Sequence, residues 1–406
     1  MGKYGYDKKA LKGLGVGEFL GEVKTRNAHI EAASAEPAGS IFPMNRLAKA
    51  LHPDVQFAKV DRIIDQPDAK TYVLVPDEEK GTRSLAYFRA GQYVSLALDI
   101  NGVTACKPYT LCSAPKNALG EENTSYMLTV KHTKNAQASE YILENWQKGT
   151  QVMLSGPLGN FYYQSLRDAS TVIALAGGSG ITPFYSMACA IADGTENFDL
   201  TILYGSRTEN SILLKDELEA VAARSGGKVK IVHVLSDEKA EGMENGFISA
   251  ELIKKYAPEG DYSVFICGPK AMYAYLEGEI QKLGLPRRRA RFELSGEYGD
   301  PARSAAYPKD AAGKSFRVEV LIRGEKKSVS CRADQTLLQA MEQNGIHAPS
   351  DCRSGQCGWC HSRLVSGEVF IPEEADGRRQ ADKKFGWIHP CVSYPLSDIC
   401  LEVPAF

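Results

Sequence analysis

Neither sign of charge dominates this sequence: 48 Lys and Arg stand against 50 Asp and Glu, for a formal charge of −2. A nucleic-acid-binding face, which needs a basic excess, is therefore not expected. No apolar run approaches the length of about 18 residues that a membrane-spanning helix needs. Lys3, Lys8, Lys9 and Lys12, with several glycines, break up the stretch where a secretory leader would carry its apolar core. The expectation is a cytoplasmic protein without a transmembrane segment. Repeats and low-complexity tracts are also absent. Cysteine is too sparse for a disulfide scaffold, at ten in 406 residues. What remains is ordinary globular composition, 43% hydrophobic and 24% charged, in a chain long enough for two to three domains.

The cysteines are few but unevenly placed. Six of the ten lie in residues 313–406, and three of those fall within nine residues. Cys352, Cys357 and Cys360 follow a C-x4-C-x2-C pattern, and Cys391 supplies a fourth thiol. This is the plant-type spacing for a [2Fe–2S] cluster. A tight loop must bring its thiolates around one centre, and Ser354, Gly355 and Gly358 leave room for the backbone to pass. A structural zinc site is the competing reading, but zinc sites usually pair short C-x2–4-C knuckles. Cys331 and Cys400 flank the pattern and read as buried strand thiols. His361 and His389 read as packing or supporting groups, because four thiols already complete the centre.

Five segments follow from the chain's changing grammar. Residues 1–54, rich in Gly, Ala and Lys, form an extension with one short helix expected at 45–51. Residues 55–167 carry strand patterns at 57–64, 70–75, 93–98 and 125–131, with one helix at 138–146. An antiparallel β-barrel is expected there. Residues 168–294 alternate strand and helix, with apolar runs at 171–176, 200–204, 229–235 and 263–267. That alternation predicts a doubly wound parallel α/β sheet. Residues 295–312 hold few large apolar side chains and read as a flexible linker. Residues 313–406 begin with a hairpin pattern around Gly324 and a helix at 336–344, an α+β domain carrying the thiol loop.

Three further motifs stand in the order that these domains require. Lys107-Pro108-Tyr109-Thr110-Leu111-Cys112-Ser113 closes the barrel-like segment, and Ala176-Gly177-Gly178-Ser179-Gly180-Ile181-Thr182-Pro183 follows the first buried strand of the α/β segment. Cys267-Gly268-Pro269 follows a later strand. The heptad is similar to R-x-Y-[ST]-x-x-S of the ferredoxin–NADP reductase superfamily, and the other two are similar to its G-G-x-G-I-T-P and C-G-P. The thiol loop resembles plant-type ferredoxins, which implies a β-grasp domain. Residues 55–406 together resemble single-chain flavin, NAD and [2Fe–2S] reductases of the phthalate dioxygenase reductase type.

The resemblance implies site residues. Lys107 would neutralise the flavin phosphate, with a single charge where Arg would offer a fork. Pro108 and Tyr109 would line the flavin, Thr110 would stand near its N5, and Ser113 would donate to a phosphate. Ser139, opening a helix after Ala136, would hold the second phosphate of FAD, which makes FAD the expected flavin over FMN. Phe161, in the turn closing the flavin domain, would flank the ring. Gly177, Gly178 and Gly180, with Thr182 and Pro183, would admit the pyrophosphate of the coenzyme. Cys267, Gly268 and Pro269 would meet its nicotinamide. Tyr204-Gly205-Ser206-Arg207, which ends the second strand of the sheet, holds no acidic residue, and Arg207 would suit a 2′-phosphate; NADH is preferred, with NADPH open. The basic run 287–289 is either solvated or turned to the ferredoxin domain.

The resemblance also implies a function: hydride from NAD(P)H to FAD, then single electrons through the cluster to a protein acceptor near Trp359 and Cys360. Such a protein would serve an oxygenase, a demethylase or another redox system. Two alternatives stand beside this. One is a terminal flavin reductase for a ferric chelate or quinone. The other is an electron-transfer subunit held in a larger complex through residues 1–54. Twelve basic and twelve acidic residues in 313–406 give the last domain no acidic docking face.

Overall fold

The computed structural model describes residues 16–32, 47, 53–100, 103–120, 124–133, 137–293, 298–322, 324–346 and 348–404. It divides into two units, residues 1–49 and 50–406. In the first unit, helix α1 (Val16–Ala32) occupies a stretch that the sequence reading left unstructured. The helix expected at 45–51 lies outside the described residues except for Leu47.

The second unit opens with a six-stranded antiparallel sheet. Its strands are β1 (Val55–Gln66), β2 (Ala69–Pro76), β3 (Tyr93–Ile100), β4 (Val103–Thr110), β5 (Tyr126–Lys131) and β6 (Gln151–Ser155), ordered β4-β3-β6-β1-β2-β5. Helix α2 (Gln137–Asn145) follows β5. The sheet curls on itself, because Cys112 just past β4 donates its N–H to Met127 O on β5 at 2.9 Å. Period-2 alternation sends Val94, Leu96 and Leu98 of β3 into the core with Tyr72, Leu74, Tyr126 and Leu128. Strands β4 and β6 were missed by pattern reading. Lys107-Pro108 interrupts the apolar alternation of β4, and β6 shows only two buried residues in five.

The next sheet is parallel. Its elements are β7 (Thr171–Gly177), α3 (Thr182–Ala192), β8 (Asp199–Ser206), α4 (Lys215–Arg224), β9 (Val229–Leu235), β10 (Glu244–Asn245), α5 (Ala250–Tyr256), β11 (Ser263–Cys267), α6 (Lys270–Gln281) and β12 (Ala290–Phe292). The order β10-β9-β8-β7-β11-β12 reverses direction between β7 and β11. Ligands of open α/β sheets bind outside the carboxyl ends of the strands at such a switch point. Phe161, expected beside the flavin, instead packs on Phe184 and Phe265 in the core of this sheet, at 5.9 and 5.4 Å between ring centroids. Arg289 of the basic run pairs with Asp261 and reaches Arg167 O, stitching this domain to the end of the barrel.

The last sheet contains β13 (Ser315–Ile322), β14 (Glu325–Arg332), β15 (Ser362–Ser366), β17 (Trp387–Ile388) and β19 (Ile399–Val403), in the order β14-β13-β19-β15-β17. A short ladder of β16 (Val369–Phe370) with β18 (Tyr394–Pro395) stands apart. Helix α7 (Leu337–Gln343) begins with a capping box, Thr336 Oγ1 accepting from Gln339 N–H and Gln339 Oε1 from Thr336 N–H, both at 3.2 Å. It buries Leu337, Leu338 and Met341 on the sheet. Helix α8 (Gln380–Lys384) precedes β17.

The structure differs from the expected flexible linker at 295–312. Residues 298–312 fold onto the last domain. Tyr307 is buried, stacks edge-on with Phe370 at 5.2 Å and donates to Ala333 O at 3.0 Å. Gly299 O accepts from Tyr394 Oη at 2.7 Å. Low apolar content hid this segment, because Tyr307 and Ala311 suffice where Phe316, Phe370 and Leu396 of the last domain supply the rest of the cluster. Tyr307→Ala should cost the last domain about 3 kcal/mol. Urea melts followed by cluster absorbance test this; an unshifted midpoint would return the segment to a linker.

Candidate functional site

At the switch point, two sharp turns press together. A Cβ on Gly180 would lie 2.1 Å from Cys267 O, and one on Gly177 would lie 2.5 Å from Met272 Sδ and 2.9 Å from Pro269 Cδ. These two glycines therefore let β7 and β11 close on each other, a packing role that the sequence reading assigned to the coenzyme. Gly178 differs. Its φ is +53°, and an added Cβ would meet only Lys131 Nζ, at 3.6 Å, so this position retains space beside a cation. Thr182 Oγ1 donates to Ser179 O at 3.0 Å and holds the turn, and Pro183 occupies the first turn of α3.

Where β11 ends, the sheet meets the barrel. Thr110 Oγ1, at the end of β4, donates to Glu293 Oε1 at 3.1 Å, and Cys267 Sγ donates to Glu293 Oε2 at 2.7 Å. Glu293 N–H donates to Ile266 O at 2.9 Å, and Tyr273 Oη, which accepts from Gly268 N–H, donates to Glu293 O at 2.9 Å. Sequence reasoning found Thr110, Cys267 and Gly268 but missed Glu293, because no motif surrounds it. The signal available was its place just past a short strand, three residues after Ala290. Burial pushes its carboxyl up to about 7, against the opposing effect of the two donors. The Cys267 thiol is pushed well above its ordinary value, first by burial and then by this carboxyl, and stays protonated. The cluster can hold or release one proton near neutrality, at Glu293.

The remaining barrel residues have mixed placements. Lys107, Pro108, Tyr109 and Thr110 are all half-buried on β4, as a strand lining a cleft requires. Ser113 is fully buried; its Oγ accepts from Met127 N–H at 3.2 Å and its carbonyl accepts from Ser186 Oγ at 2.8 Å. Ser113 Oγ accepts from Met127, which leaves its O–H to donate, as the expected phosphate contact would use it. Ser139 is buried in the first turn of α2, and Ala136 before it lies outside the described residues.

At the ends of β8 and β9, Ser206 Oγ and both ring nitrogens of His233 are buried without a hydrogen-bond partner among the described residues. Such orphans fit a polar ligand. The acidic groups that the second strand lacks arrive from the third. Ser236 N–H donates to Ser206 O and Asp237 N–H to Arg207 O, each at 3.0 Å, and Glu238 accepts from Glu209 N–H. The backbone of Asp237 thus runs beside that of Arg207 at the carboxyl ends of β8 and β9.

The four loop thiols form two pairs. Cys360 Sγ lies 3.3 Å from Cys391 Sγ, and Cys352 Sγ accepts from Ser354 and Cys357 N–H at 3.5 and 3.4 Å and shares a side-chain hydrogen bond with the Cys357 thiol. Trp359 N–H points at Cys357 Sγ at 3.4 Å. Among the described residues no three such ligands are arranged around a single ion. Two thiol pairs fit a two-iron cluster, with backbone N–H groups turned to the sulfurs. Gly355 carries φ +79°, and its Cβ would strike Ala375 O at 2.2 Å. His389 Nδ1–H holds Gly355 O at 2.7 Å, and His361 stacks on Trp387 and meets Asp382 at 3.1 Å.

Three sites with these chemistries, in one chain, define a pyridine-nucleotide-dependent flavin and iron–sulfur oxidoreductase. Comparison with known proteins agrees. Residues 68–163 match the oxidoreductase FAD-binding domain, 174–277 the oxidoreductase NAD-binding domain, and 320–396 the 2Fe-2S iron-sulfur cluster binding domain. The ferredoxin reductase component of 3-ketosteroid-9-alpha-monooxygenase from Mycobacterium tuberculosis is 30% identical over 84% of this chain and 93% of its own length. The glycine betaine monooxygenase reductase subunit of Chromohalobacter salexigens is 27% identical over 82% of this chain and 91% of its own. The structure of phthalate dioxygenase reductase shares the fold, with a TM-score of 0.61, 24% identity and coverage of 86% of this chain and 98% of that one. The chain belongs to the ferredoxin–NADP reductase superfamily, in the branch with a C-terminal [2Fe–2S] domain. It takes FAD, NADH and a [2Fe–2S] cluster, and it passes electrons from the coenzyme to a protein acceptor.

The buried carboxyl yields a prediction with a definite sign. Its folded value of about 7 exceeds the ordinary 4.5, so the folded state holds this proton more tightly than the unfolded chain. The charge then costs nothing below pH 4.5 and destabilises the fold fully above 7, by about 3 kcal/mol. Glu293→Gln should therefore raise the melting temperature at pH 8 more than at pH 5. Equal shifts at both values would show that Glu293 is not protonated near neutrality.

Proposed function

We propose that this chain is the reductase component of an oxygenase system, as its relatives' names describe for those proteins. When bound, the coenzyme supplies a hydride, the flavin turns its two electrons into single ones, and the cluster carries one at a time. The observation that carries the reading is one of adjacency. The Thr110–Glu293–Cys267 junction and the thiol loop both adjoin the β3–β4 strands, so a two-electron site and a one-electron relay share one wall.

In this reading Thr110 orients the flavin edge and Cys267 positions the nicotinamide. Glu293 holds or releases a proton between them. Lys107, Pro108 and Tyr109 line the flavin, and Ser139 at the opening of α2 takes its second phosphate. Gly178, with Lys131 beside it, receives the coenzyme pyrophosphate. Gly177, Gly180, Gly268 and Pro269 keep that turn tight. Asp237 and Glu238 favour NADH over NADPH by repelling a second phosphate. Cys352, Cys357, Cys360 and Cys391 hold the cluster, and the acceptor docks near it. Free thiols and a thiolate cluster suit a reducing compartment, which keeps the cytoplasm as the proposed location. Among the described residues no helix is long and apolar enough to cross a membrane.

Two substitutions test this division of labour. Cys357→Ser should abolish the iron absorbance and cut cytochrome c reduction at least tenfold while ferricyanide reduction by NADH persists. Undiminished cytochrome c reduction would remove the cluster from the path. Cys267→Ala should slow flavin reduction in stopped flow tenfold or more with little change in NADH affinity. An unchanged rate would leave Cys267 a packing residue.

A further inference from the structure

Tyr204 lies near the carboxyl end of β8, level with Ala176 of β7, and is fully buried. A phenol sealed from water needs partners for its hydroxyl. Tyr204 Oη donates to Gly178 O at 3.0 Å and accepts from Leu213 N–H at 3.2 Å. The hydroxyl thus joins the glycine turn after β7 to the loop that opens α4.

The next residue of that loop is strained. Leu214 is 1% exposed and holds φ +55°, a left-handed conformation, without being glycine. Such a conformation persists only where its surroundings fix it. Here a fixing group comes from the other domain. Gln66, the last residue of β1 in the barrel, accepts from Leu214 N–H through Oε1 and donates to Glu217 Oε1 through Nε2, both at 3.1 Å. The same end of the barrel reaches the glycine turn a second way. Ala69, where β2 begins, is buried in the core of the parallel sheet and pairs with Lys131 of β5, whose ammonium stands beside Gly178. Gly178 is therefore held by Tyr204 at its carbonyl and faced by Lys131 at its α-carbon.

Fixing that carbonyl fixes more than one atom. Gly178, at φ +53°, has no Cβ to restrict the swing of its peptide. The peptide from Gly178 to Ser179 is planar and trans, so its N–H points opposite to its C=O. With Gly178 O drawn to Tyr204, Ser179 N–H is turned away from Tyr204, and Ser179 itself is exposed.

We propose that Tyr204 is a positioning residue for the coenzyme: its hydroxyl holds the Gly178–Ser179 peptide with the N–H outward for the diphosphate, and Gln66 keeps the anchor of Tyr204 in register with the flavin barrel. This rests on the reading above that the Gly178 turn receives the coenzyme. The diphosphate is the part served, because a peptide N–H and the Lys131 ammonium are both donors and suit an anion. Tyr204 touches no reacting atom, so its effect falls on affinity and leaves the hydride step alone.

The test uses the full-length holoprotein, with ADP-ribose as the probe because it carries the diphosphate without the nicotinamide. Tyr204→Phe removes one oxygen and keeps the buried ring. Its Kd for ADP-ribose by calorimetry should rise about tenfold, as should the NADH concentration that half-saturates flavin reduction in stopped flow. The maximal rate of flavin reduction should stay within about twofold. An unchanged Kd for ADP-ribose, or a maximal rate that falls tenfold, would overturn the proposal; a merely structural hydroxyl would lower the melting temperature without this split. Gln66→Ala is the independent arm, and it carries the test if Tyr204→Phe fails to retain FAD. Alone it should raise the Kd for ADP-ribose about threefold, and in the Tyr204→Phe background it should add nothing. No rise, or full additivity, would remove Gln66 from the chain of contacts. Lys131→Met tests the underlying reading and should also weaken ADP-ribose. If it does not, the coenzyme diphosphate lies elsewhere and the reading of the Gly178 turn fails, an outcome distinct from the loss of the Tyr204 effect alone.

Discussion

Burying a carboxyl between two domains is expensive unless its oxygens are occupied, and Glu293 shows how the expense is met. Each oxygen receives one donor, Thr110 from the barrel and Cys267 from the parallel sheet, and the backbone on either side is held by Ile266 and Tyr273. The pair of turns behind it depends on this arrangement. Gly180 lies against Cys267 O because any larger residue would push β11 away from β7, and with it the thiol from the carboxyl. That small cluster, with the Ser186–Ser113 and Arg289–Arg167 bonds, holds the barrel against the nucleotide sheet.

The same economy appears at the thiol loop. A backbone folded tightly enough to gather four sulfurs cannot also satisfy every strain, and it uses left-handed conformations at Gly355, Gly358 and Arg353. For the glycines this conformation is cheap; for Arg353 it costs about 1 kcal/mol or more. The guanidinium offsets that cost through its two bonds to Glu342, a buried pair that would be weak evidence for stability alone but fixes geometry here. The capping box at Thr336 starts α7, the helix on which Glu342 stands.

Much of the function was legible because cofactor chemistry demands particular residues at particular spacings. Thiols four and two residues apart, a small-residue turn after a buried strand, and C-G-P after another are local patterns, and local patterns survive in one dimension. Errors arose where a role depends on neighbours in space. Phe161 matched a turn but fills the core of the next domain. Residues 298–312 lacked apolar density and were taken for a linker, although Tyr307 is enough to seat them.

Sequence alone determined the fold class of each domain and the order of the motifs, since these rest on periodicity or spacing within a few dozen residues, and the resemblance that the motifs carry implied the cofactor set. Tertiary structure alone decided three things. It brought Glu293 to Thr110 across 183 residues of chain and to Cys267 across 26. It set Asp237 and Glu238 beside Arg207, because parallel strands place their carboxyl ends side by side however distant they are along the chain. It also seated the thiol loop on β3 and β4 through Arg353, 247 residues from its partner Cys106. Each is a contact between a side chain and a group on another element. No periodicity encodes such a contact, because the register between elements is fixed only when their cores pack.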